Sequence, residues 1–264
     1  MSNTGPESTV PPAASGDPEG LRRPEGDAGQ KGAIGVLVSG EGTNLQALID
    51  EGLPIVAVAS NRPGVRALER AKAAGIPTAV FELSEYESRD ARDAAMADWL
   101  EERGARWTVC AGYMQLLRAP FLDRFAGRII NTHSAPLPEF PGAHPIEDVL
   151  AAGVRETAAT VHYIDEGVDT GPVISSERVP VYDDDTVETL RARVQAVEHR
   201  LLPKVVRELL VSASRGAAGG AGPESTVRPG TGPESPVPSA ASGGHEAGSA
   251  GPEGRPAGEA RCVR

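Results

Sequence analysis

Short apolar segments alternate with helix-like segments from Ala33 to Leu210, and this alternation limits the possible folds more than any other feature. The apolar segments are rich in β-branched residues and end in small or polar ones; they read AIGVLVSG, PIVAVASN, PTAVFE, RWTVCAGY and RIINTH. The segments between them, such as TNLQALIDEG and GVRALERAKAAG, have helical spacing and mostly stop at glycine. Strands that are apolar on both faces need helices on both sides of the sheet. The pattern therefore predicts an α/β fold with a mainly parallel, doubly wound sheet flanked by helices.

The two ends of the chain differ in composition from this core. Most of the 31 glycines and 23 prolines lie in residues 1–30 and 212–264. The phrase GPEST occurs in both ends, as TGPEST from Thr4 and AGPEST from Ala221, without the period or the apolar positions of a solenoid. Neither end can bury enough apolar surface to offset the entropy lost on ordering. We therefore expect disordered low-complexity tails at 1–30 and 212–264 around a single domain at 31–211.

Charge and hydropathy exclude several kinds of partner. The formal net charge is -11 and no basic stripe is present, which argues against binding to nucleic acid or to anionic membranes. The N-terminus lacks the charged-then-apolar pattern of a signal peptide, and no apolar run is long enough to span a bilayer. The sequence thus predicts a cytoplasmic protein, as a monomer or a homodimer.

The first predicted strand leads directly into a glycine-rich turn, SGEGTNLQ at 39–46. Two glycines allow a tight turn, and we expect Thr43 or Asn44 to cap the following helix. The free N–H groups of that helix would stabilise an anion, with phosphate the first choice. The turn has neither the Gly-Lys-Ser/Thr of a Walker loop nor the third glycine of the dinucleotide fingerprint, so a simple strand–helix turn is the alternative.

The fifth predicted strand ends on Asn131, Thr132 and His133 and continues into a loop with four prolines. Residues two apart on an extended strand project to the same face, so Asn131 and His133 should face one site. An amide beside an imidazole can stabilise a developing oxyanion and transfer a proton. The alternative for a single histidine is a hydrogen-bonded structural residue.

Two carboxylates, Asp165 and Asp169, lie in a glycine-bearing loop further along the chain. A carboxylate that reaches an imidazole orients the ring and favours its protonated form, whereas a turn that satisfies its own hydrogen bonds is the alternative for each aspartate. No serine or cysteine stands in a recognisable nucleophile setting, and spacings such as His-Glu-x-x-His are absent from the sequence. The combination of histidine, aspartate and asparagine suggests a transfer between two bound substrates.

Four motifs together resemble one enzyme family: SGEGTNLQALID, AGYMQLL, IINTHSAPLPEFPGAH and VHYIDEGVDTGPVI. In this order and spacing they resemble phosphoribosylglycinamide formyltransferase, the folate-dependent enzyme of purine synthesis, over 33–210. The resemblance implies a Rossmann-like formyltransferase fold and transfer of a formyl group from 10-formyltetrahydrofolate to the amino group of 5-phosphoribosylglycinamide, in de novo synthesis of IMP. It implies small-molecule substrates, with no nucleic acid and no membrane, and no metal, because a formyl group is already a reactive electrophile.

The resemblance also implies roles for individual residues. It makes Asn131, His133 and Asp169 the catalytic trio, and leaves His162 and His144 outside that set. It assigns the ribotide and its phosphate to Gly42, Thr43, Asn44, Gln195 and Glu198. It assigns the folate to Arg89, Met114, Gln115, Leu116 and Leu117, to Asn131, and to the loop of Asp165, Glu166, Gly167, Val168 and Asp169.

Three positions depart from the family pattern. Family members usually read His-Pro-Ser-Leu-Leu-Pro where this chain has HSAPLP, Gln115 stands where an arginine is common, and AATVH replaces Gly-Thr-Ser-Val-His. We therefore expect the loop path near the folate, and the folate affinity, to differ from those of the family.

Three other functions fit the sequence less well. A methionyl-tRNA formyltransferase would need a C-terminal tRNA-binding domain, for which the acidic tail offers no basic surface. A formyltetrahydrofolate deformylase would need an N-terminal regulatory domain, and a non-catalytic folate- or nucleotide-binding relative would have no need of the trio.

Overall fold

The main sheet has seven strands among the residues that the structure describes. The computed structural model describes residues 32–218 and 260–261. The strands of this sheet are β1 (Ile34–Val38), β2 (Ile55–Ser60), β3 (Thr78–Val80), β4 (Trp107–Cys110), β6 (Ile129–His133), β7 (Glu156–Tyr163) and β8 (Val173–Pro180). Their order is β3-β2-β1-β4-β6-β7-β8; the first five are parallel, and β7 and β8 are antiparallel to their neighbours. The predicted mainly parallel sheet is confirmed. A separate antiparallel pair joins β5 (Leu116–Leu117) to β9 (Ala260–Arg261).

Helices cover both faces of the sheet. They are α1 (Thr43–Asp50), α2 (Arg66–Ala73), α3 (Arg89–Glu102), α4 (Ala119–Leu122), α5 (Pro145–Ala152) and α6 (Val187–Ala218), with a short 3-10 helix at Leu83–Glu85. On β1, Ile34, Val36 and Val38 belong to one apolar cluster and Leu37 to the cluster on the opposite face. Every residue of β1 is buried, which explains why this strand reads as a continuous apolar run.

The C-terminal helix differs from the expectation. The sequence predicts a helix over 186–200 and a second one that begins at Pro203, but α6 is continuous and contains Pro203. Proline removes one helical hydrogen bond and usually ends or kinks a helix. Here apolar side chains on both sides of the proline are buried in the core: Leu201, Leu202, Val205 and Val206. The predicted domain end at residue 211 lies inside this helix, and most of the two predicted tails lies outside the described residues.

The topology brings three distant segments to one edge of the sheet. The glycine-rich turn follows β1, the segment that leads into β5 follows β4, and the proline-rich loop follows β6. Because β1, β4 and β6 are parallel neighbours, these segments meet at the carboxyl edge, where doubly wound sheets bind ligands. Within 32–218, no helix has both the length and the hydropathy that crossing a membrane requires.

Candidate active site

Asn131, His133 and Asp169 come together in the structure. Asn131 and His133 lie on β6, and Asp169 lies in the loop between β7 and β8. Their exposed fractions are 1%, 0% and 4%. His133 Nδ1 lies 3.6 Å from Asp169 Oδ2. Two segments that are far apart in sequence therefore place an amide, an imidazole and a carboxylate in one buried group.

The contacts of the His133 ring fix which nitrogen carries hydrogen. Nε2 lies 2.6 Å from the carbonyl oxygen of Phe140. A carbonyl oxygen only accepts, so Nε2 carries a hydrogen and donates it. The 3.6 Å from Nδ1 to the Asp169 carboxylate is too long for a hydrogen bond. Nδ1 is thus the ring nitrogen that is left for a substrate group or a bridging water.

Two buried polar atoms of this group make no hydrogen bond within the described part of the chain. Neither His133 Nδ1 nor Asp169 Oδ1 has a hydrogen-bond partner among the residues that the structure describes. Leaving a buried donor or acceptor unpaired costs about 1–3 kcal/mol, so such atoms are rare in native proteins. Their coincidence at the sheet edge marks the place where a bound molecule would supply the missing partners.

The backbone around Asp169 holds its carboxylate in place. Asp169 has a φ of 53°, in the left-handed region that residues other than glycine rarely adopt. Its Oδ2 accepts a hydrogen bond of 2.9 Å from the backbone N–H of Gly142, in the proline-rich loop. A strained backbone that persists at a buried carboxylate is typical of functional sites.

Asp165 behaves differently from Asp169. Its Oδ1 accepts from the backbone N–H of Gly167 at 3.0 Å and from Thr170 Oγ1 at 2.7 Å. These bonds close the loop on itself, which is the alternative considered for this residue. A Cβ atom on Gly171 would lie 1.9 Å from the carbonyl oxygen of Tyr163, so the next turn of the loop requires glycine. Asp165 therefore shapes the loop that presents Asp169.

His162, outside the predicted catalytic set, contacts that set directly. Its Nδ1 donates to the carbonyl oxygen of Tyr163 at 2.8 Å, so in the neutral ring Nε2 accepts, and the Asn131 amide nitrogen lies 3.2 Å from it. Burial lowers the pKa of His162, although Asp169, 3.8 Å away, acts in the opposite direction. A neutral His162 thus fixes the orientation of the Asn131 amide, and the second N–H hydrogen of that amide is left for a substrate. The β6–β7 register, which pairs Asn131 with His162, creates this contact and is not visible in the sequence.

The glycine-rich turn ends on a helix without a side-chain cap. Gly42, at φ 70°, is the N-cap of α1, and no side chain in the described part of the chain caps the helix. The expectation that Thr43 or Asn44 caps it is wrong, because the Asn44 side chain turns into the protein and donates to Glu198 Oε2 at 2.9 Å. The first N–H groups of α1 thus have no side-chain acceptor, which suits an anion.

The residues predicted on α6 lie beside this turn. Glu198 is buried, with 4% of its surface exposed, and its Oε1 accepts from Ser134 Oγ at 2.7 Å. Gln195 is half-buried and lies three residues earlier, on the same face of the helix. The turn, the end of β6 and α6 therefore enclose one polar region.

The segment predicted to bind folate follows β4, the parallel neighbour of β6, at the carboxyl edge of the sheet. The backbone N–H of Met114 donates to Ser39 Oγ at 2.8 Å, which ties the segment to the glycine-rich turn. Gln115 is half-buried and lines a cavity of about 430 Å³ together with Arg92. Leu116 is half-buried as well, but the Leu117 side chain is fully buried in the core, so only its backbone can meet a ligand.

Arg89 is the most exposed of the predicted folate residues outside the 165–169 loop. It is the first residue of α3, where Ser88 Oγ accepts from the N–H of Ala91 at 3.0 Å. Among the residues described, the Arg89 side chain has no hydrogen bond or ion pair. Its guanidinium is therefore available to a carboxylate in solvent.

These elements form one candidate site of an α/β protein: a buried amide–imidazole–carboxylate group and the N-terminus of α1 both lie at the carboxyl edge of the sheet. The sequence profile of the formyl transferase family matches residues 33–206, about two thirds of the chain. The chain belongs to the formyl transferase family. The resemblance seen in its motifs is confirmed.

Relatives and solved structures agree with this assignment. The chain is 43% identical to the phosphoribosylglycinamide formyltransferase of Mycobacterium tuberculosis H37Rv over 179 residues, which is 66% of this chain and 83% of the relative. It is 44% identical over 195 residues, 72% of this chain, to the trifunctional purine biosynthetic protein adenosine-3 of Gallus gallus, of which it spans only 19%. Glycinamide ribonucleotide transformylase 1 from Symbiobacterium toebii has a TM-score of 0.67 at 44% identity, with 68% of this chain and 88% of that chain covered. Phosphoribosylglycinamide formyltransferase from Streptococcus pneumoniae has a TM-score of 0.65 at 44% identity, with 67% and 98% covered.

Proposed function

We propose that the protein transfers the formyl group of 10-formyltetrahydrofolate to the amino group of 5-phosphoribosylglycinamide, giving formylglycinamide ribonucleotide and tetrahydrofolate. The observation that carries the proposal is the pair of unpartnered buried atoms, His133 Nδ1 and Asp169 Oδ1, next to Asn131. A reaction between two bound molecules needs such groups where charge and protons move. The names of the relatives support this choice of substrates.

The chemistry follows from the positions of the three side chains. The substrate amine attacks the formyl carbon, so a carbon–nitrogen bond forms and negative charge develops on the formyl oxygen. The free N–H of Asn131 stabilises that oxygen, which is worth about 10²–10³ in kcat in comparable oxyanion sites. The bond from the formyl carbon to the folate nitrogen then breaks, and a proton passes from the amine to that nitrogen through His133 and Asp169, with water as a bridge.

The ribotide fits the polar region beside the trio. Its phosphate accepts hydrogen bonds from the N–H groups of Gly42, Thr43 and Asn44 at the start of α1. A carboxylate accepts hydrogen bonds and repels phosphate, so Glu198, with Gln195, binds the ribose hydroxyls rather than the phosphate. This arrangement directs the amine of the substrate toward His133.

The folate approaches from the other side of the trio. Its pterin lies between the segment of Met114 to Leu117 and the loop of 165–169, and Arg89 pairs with a glutamyl carboxylate at the mouth of the site. Action on small molecules in the cytoplasm, as a monomer or a homodimer, is part of the same proposal.

The test is formyl transfer by the purified full-length chain. We expect release of tetrahydrofolate from 10-formyltetrahydrofolate only when the ribotide is present. His133→Asn and Asp169→Asn should abolish most turnover with the fold retained. Asp183→Asn serves as the control, because it also removes a carboxylate, but one that is 91% exposed and lies outside the site.

Each other result contradicts a defined part of the proposal. Release without the ribotide would indicate a hydrolase. No release would indicate a different formyl acceptor or a binding protein. Full activity in His133→Asn or Asp169→Asn would overturn the roles given to these residues.

A further inference from the structure

Glu198 connects three segments of the polar region. It projects from α6 and is buried, and each of its carboxylate oxygens accepts one hydrogen bond. Asn44, from the glycine-rich turn, donates to Oε2 at 2.9 Å, and Ser134, directly after His133, donates to Oε1 at 2.7 Å. Both donors are neutral groups. The carboxylate is thus held by one bond from each side.

These two bonds fix the plane of the carboxylate and leave some of its acceptor positions unused. An ionised carboxyl group has about four acceptor positions on its two oxygens. Two are used by the protein, so one on each oxygen is left for a ligand. A rigid pair of acceptors on adjacent oxygens matches two neighbouring hydroxyl groups, because the geometry needed for binding is set before the ligand arrives.

We propose that Ser134 is a positioning residue for the ribotide: its hydroxyl group fixes the Glu198 carboxylate in the orientation that binds the substrate hydroxyls. This inference rests on the proposed function. Ser134 stands where the family usually has proline, and a proline has no hydroxyl donor. The bond therefore adds to this chain a direct connection between the strand that carries His133 and the carboxylate that holds the ribotide.

The inference predicts a specific kinetic change. Ser134→Ala should raise the KM for the ribotide about five- to ten-fold, because one of the two bonds that orient the carboxylate is lost. The KM for 10-formyltetrahydrofolate should stay within about two-fold, because no folate contact changes. Ser134→Thr keeps the hydroxyl group and should restore the ribotide KM to within about two-fold of the original value.

A matched control separates this effect from the loss of any serine hydroxyl. Ser214 also lies on α6, where its Oγ donates to the carbonyl oxygen of Leu210 at 2.8 Å, sixteen residues along the helix from Glu198 and so about 24 Å away. Ser214→Ala should leave both KM values unchanged. Thermal unfolding of every variant shows whether the fold is retained.

A double-mutant cycle tests the route through Glu198. In a Glu198→Ala background, Ser134→Ala should change kcat/KM for the ribotide by less than about two-fold, because the group that Ser134 orients has been removed. Effects of the two substitutions that multiply independently would overturn the inference. An unchanged ribotide KM in Ser134→Ala would also overturn the inference. An equal fall in activity toward both substrates, together with a lower melting temperature, would indicate a purely structural role for Ser134 and overturn it as well.

Failure of this inference can be told apart from failure of the proposed function. Ribotide-independent behaviour of the wild-type chain would refute both. Ribotide-dependent turnover of the wild type with any of the contradicting results above would refute the role of Ser134 alone.

Discussion

Adding a single methyl group at Gly42 should disturb the proposed ribotide site. The residue has a φ of 70°, and a Cβ atom there would lie 2.6 Å from Ala67 Cβ and 2.7 Å from Ala67 Cα. Ala67 is fully buried in the first turn of α2, and its N–H donates to the Gly40 carbonyl oxygen at 3.1 Å. Since contacts under 3.0 Å essentially never occur, α2 or the turn must move in Gly42→Ala.

The expected loss of stability in Gly42→Ala has two parts. Forcing an L-residue into the left-handed region costs about 1–2 kcal/mol. Overpacking against a buried backbone costs about 1–3 kcal/mol more, which gives a loss of about 2–5 kcal/mol in the free energy of unfolding. Gly64→Ala is the matched control, because Gly64 has a φ of 65° and, apart from its chain neighbours, no described residue lies within 4 Å of the added Cβ. It should lose only the first part, about 1–2 kcal/mol.

The assay is urea unfolding of the wild type and both variants, followed by the KM for the ribotide. We expect Gly42→Ala to be less stable than Gly64→Ala by about 1–3 kcal/mol and to raise the ribotide KM, while Gly64→Ala leaves the KM unchanged. Equal losses of stability in the two variants would refute the close approach of Gly42 to α2. A Gly42→Ala variant with normal ribotide KM would refute the placement of the phosphate at the turn.

Three further predictions follow from the structure. Asn131→Ala should lower kcat by about 10²–10³ and the free energy of unfolding by about 1–3 kcal/mol, because His162 Nε2 loses its buried partner. A fall in kcat below ten-fold in steady-state assays would remove the oxyanion role. Burial lowers the pKa of His162 below its ordinary 6.5, so the stability tied to its neutral form is present above that pH and is lost as pH falls toward the folded-state pKa. His162→Gln should therefore flatten the fall in urea-measured stability below pH 6.5, and an unchanged slope would contradict the shift. Hydrogen bonds from Arg193 hold the pKa of Asp185 well below its ordinary 3.8. Asp185→Asn should therefore reduce the stability that is lost on acidification below pH 3.8, as measured by thermal unfolding. An identical dependence of stability on pH in the variant would contradict the role of this pair.

The fold class could be read from the sequence because each part of it has a local signature. β1 shows a run of apolar residues because both of its faces are covered. α1 starts directly after Gly42, whose backbone has the left-handed conformation that favours glycine. Where a tertiary contact overrode the local signal, the prediction differed from the structure. Pro203 is a strong local signal for a helix start, yet burial on both sides keeps α6 continuous.

The candidate site also has features that the sequence predicts and others that depend on tertiary contacts. The sequence by itself determined that Asn131 and His133 share a face, because the period of an extended strand is two residues, and the four motifs identified the family. Only the tertiary structure decided which groups those side chains meet. The register of β6 against β7 places His162 beside Asn131, and the packing of α6 over the turn places Glu198 between Asn44 and Ser134. Such contacts join residues 31 to 154 positions apart, and no local pattern encodes a partner at that distance, because pairing depends on how whole strands and helices pack.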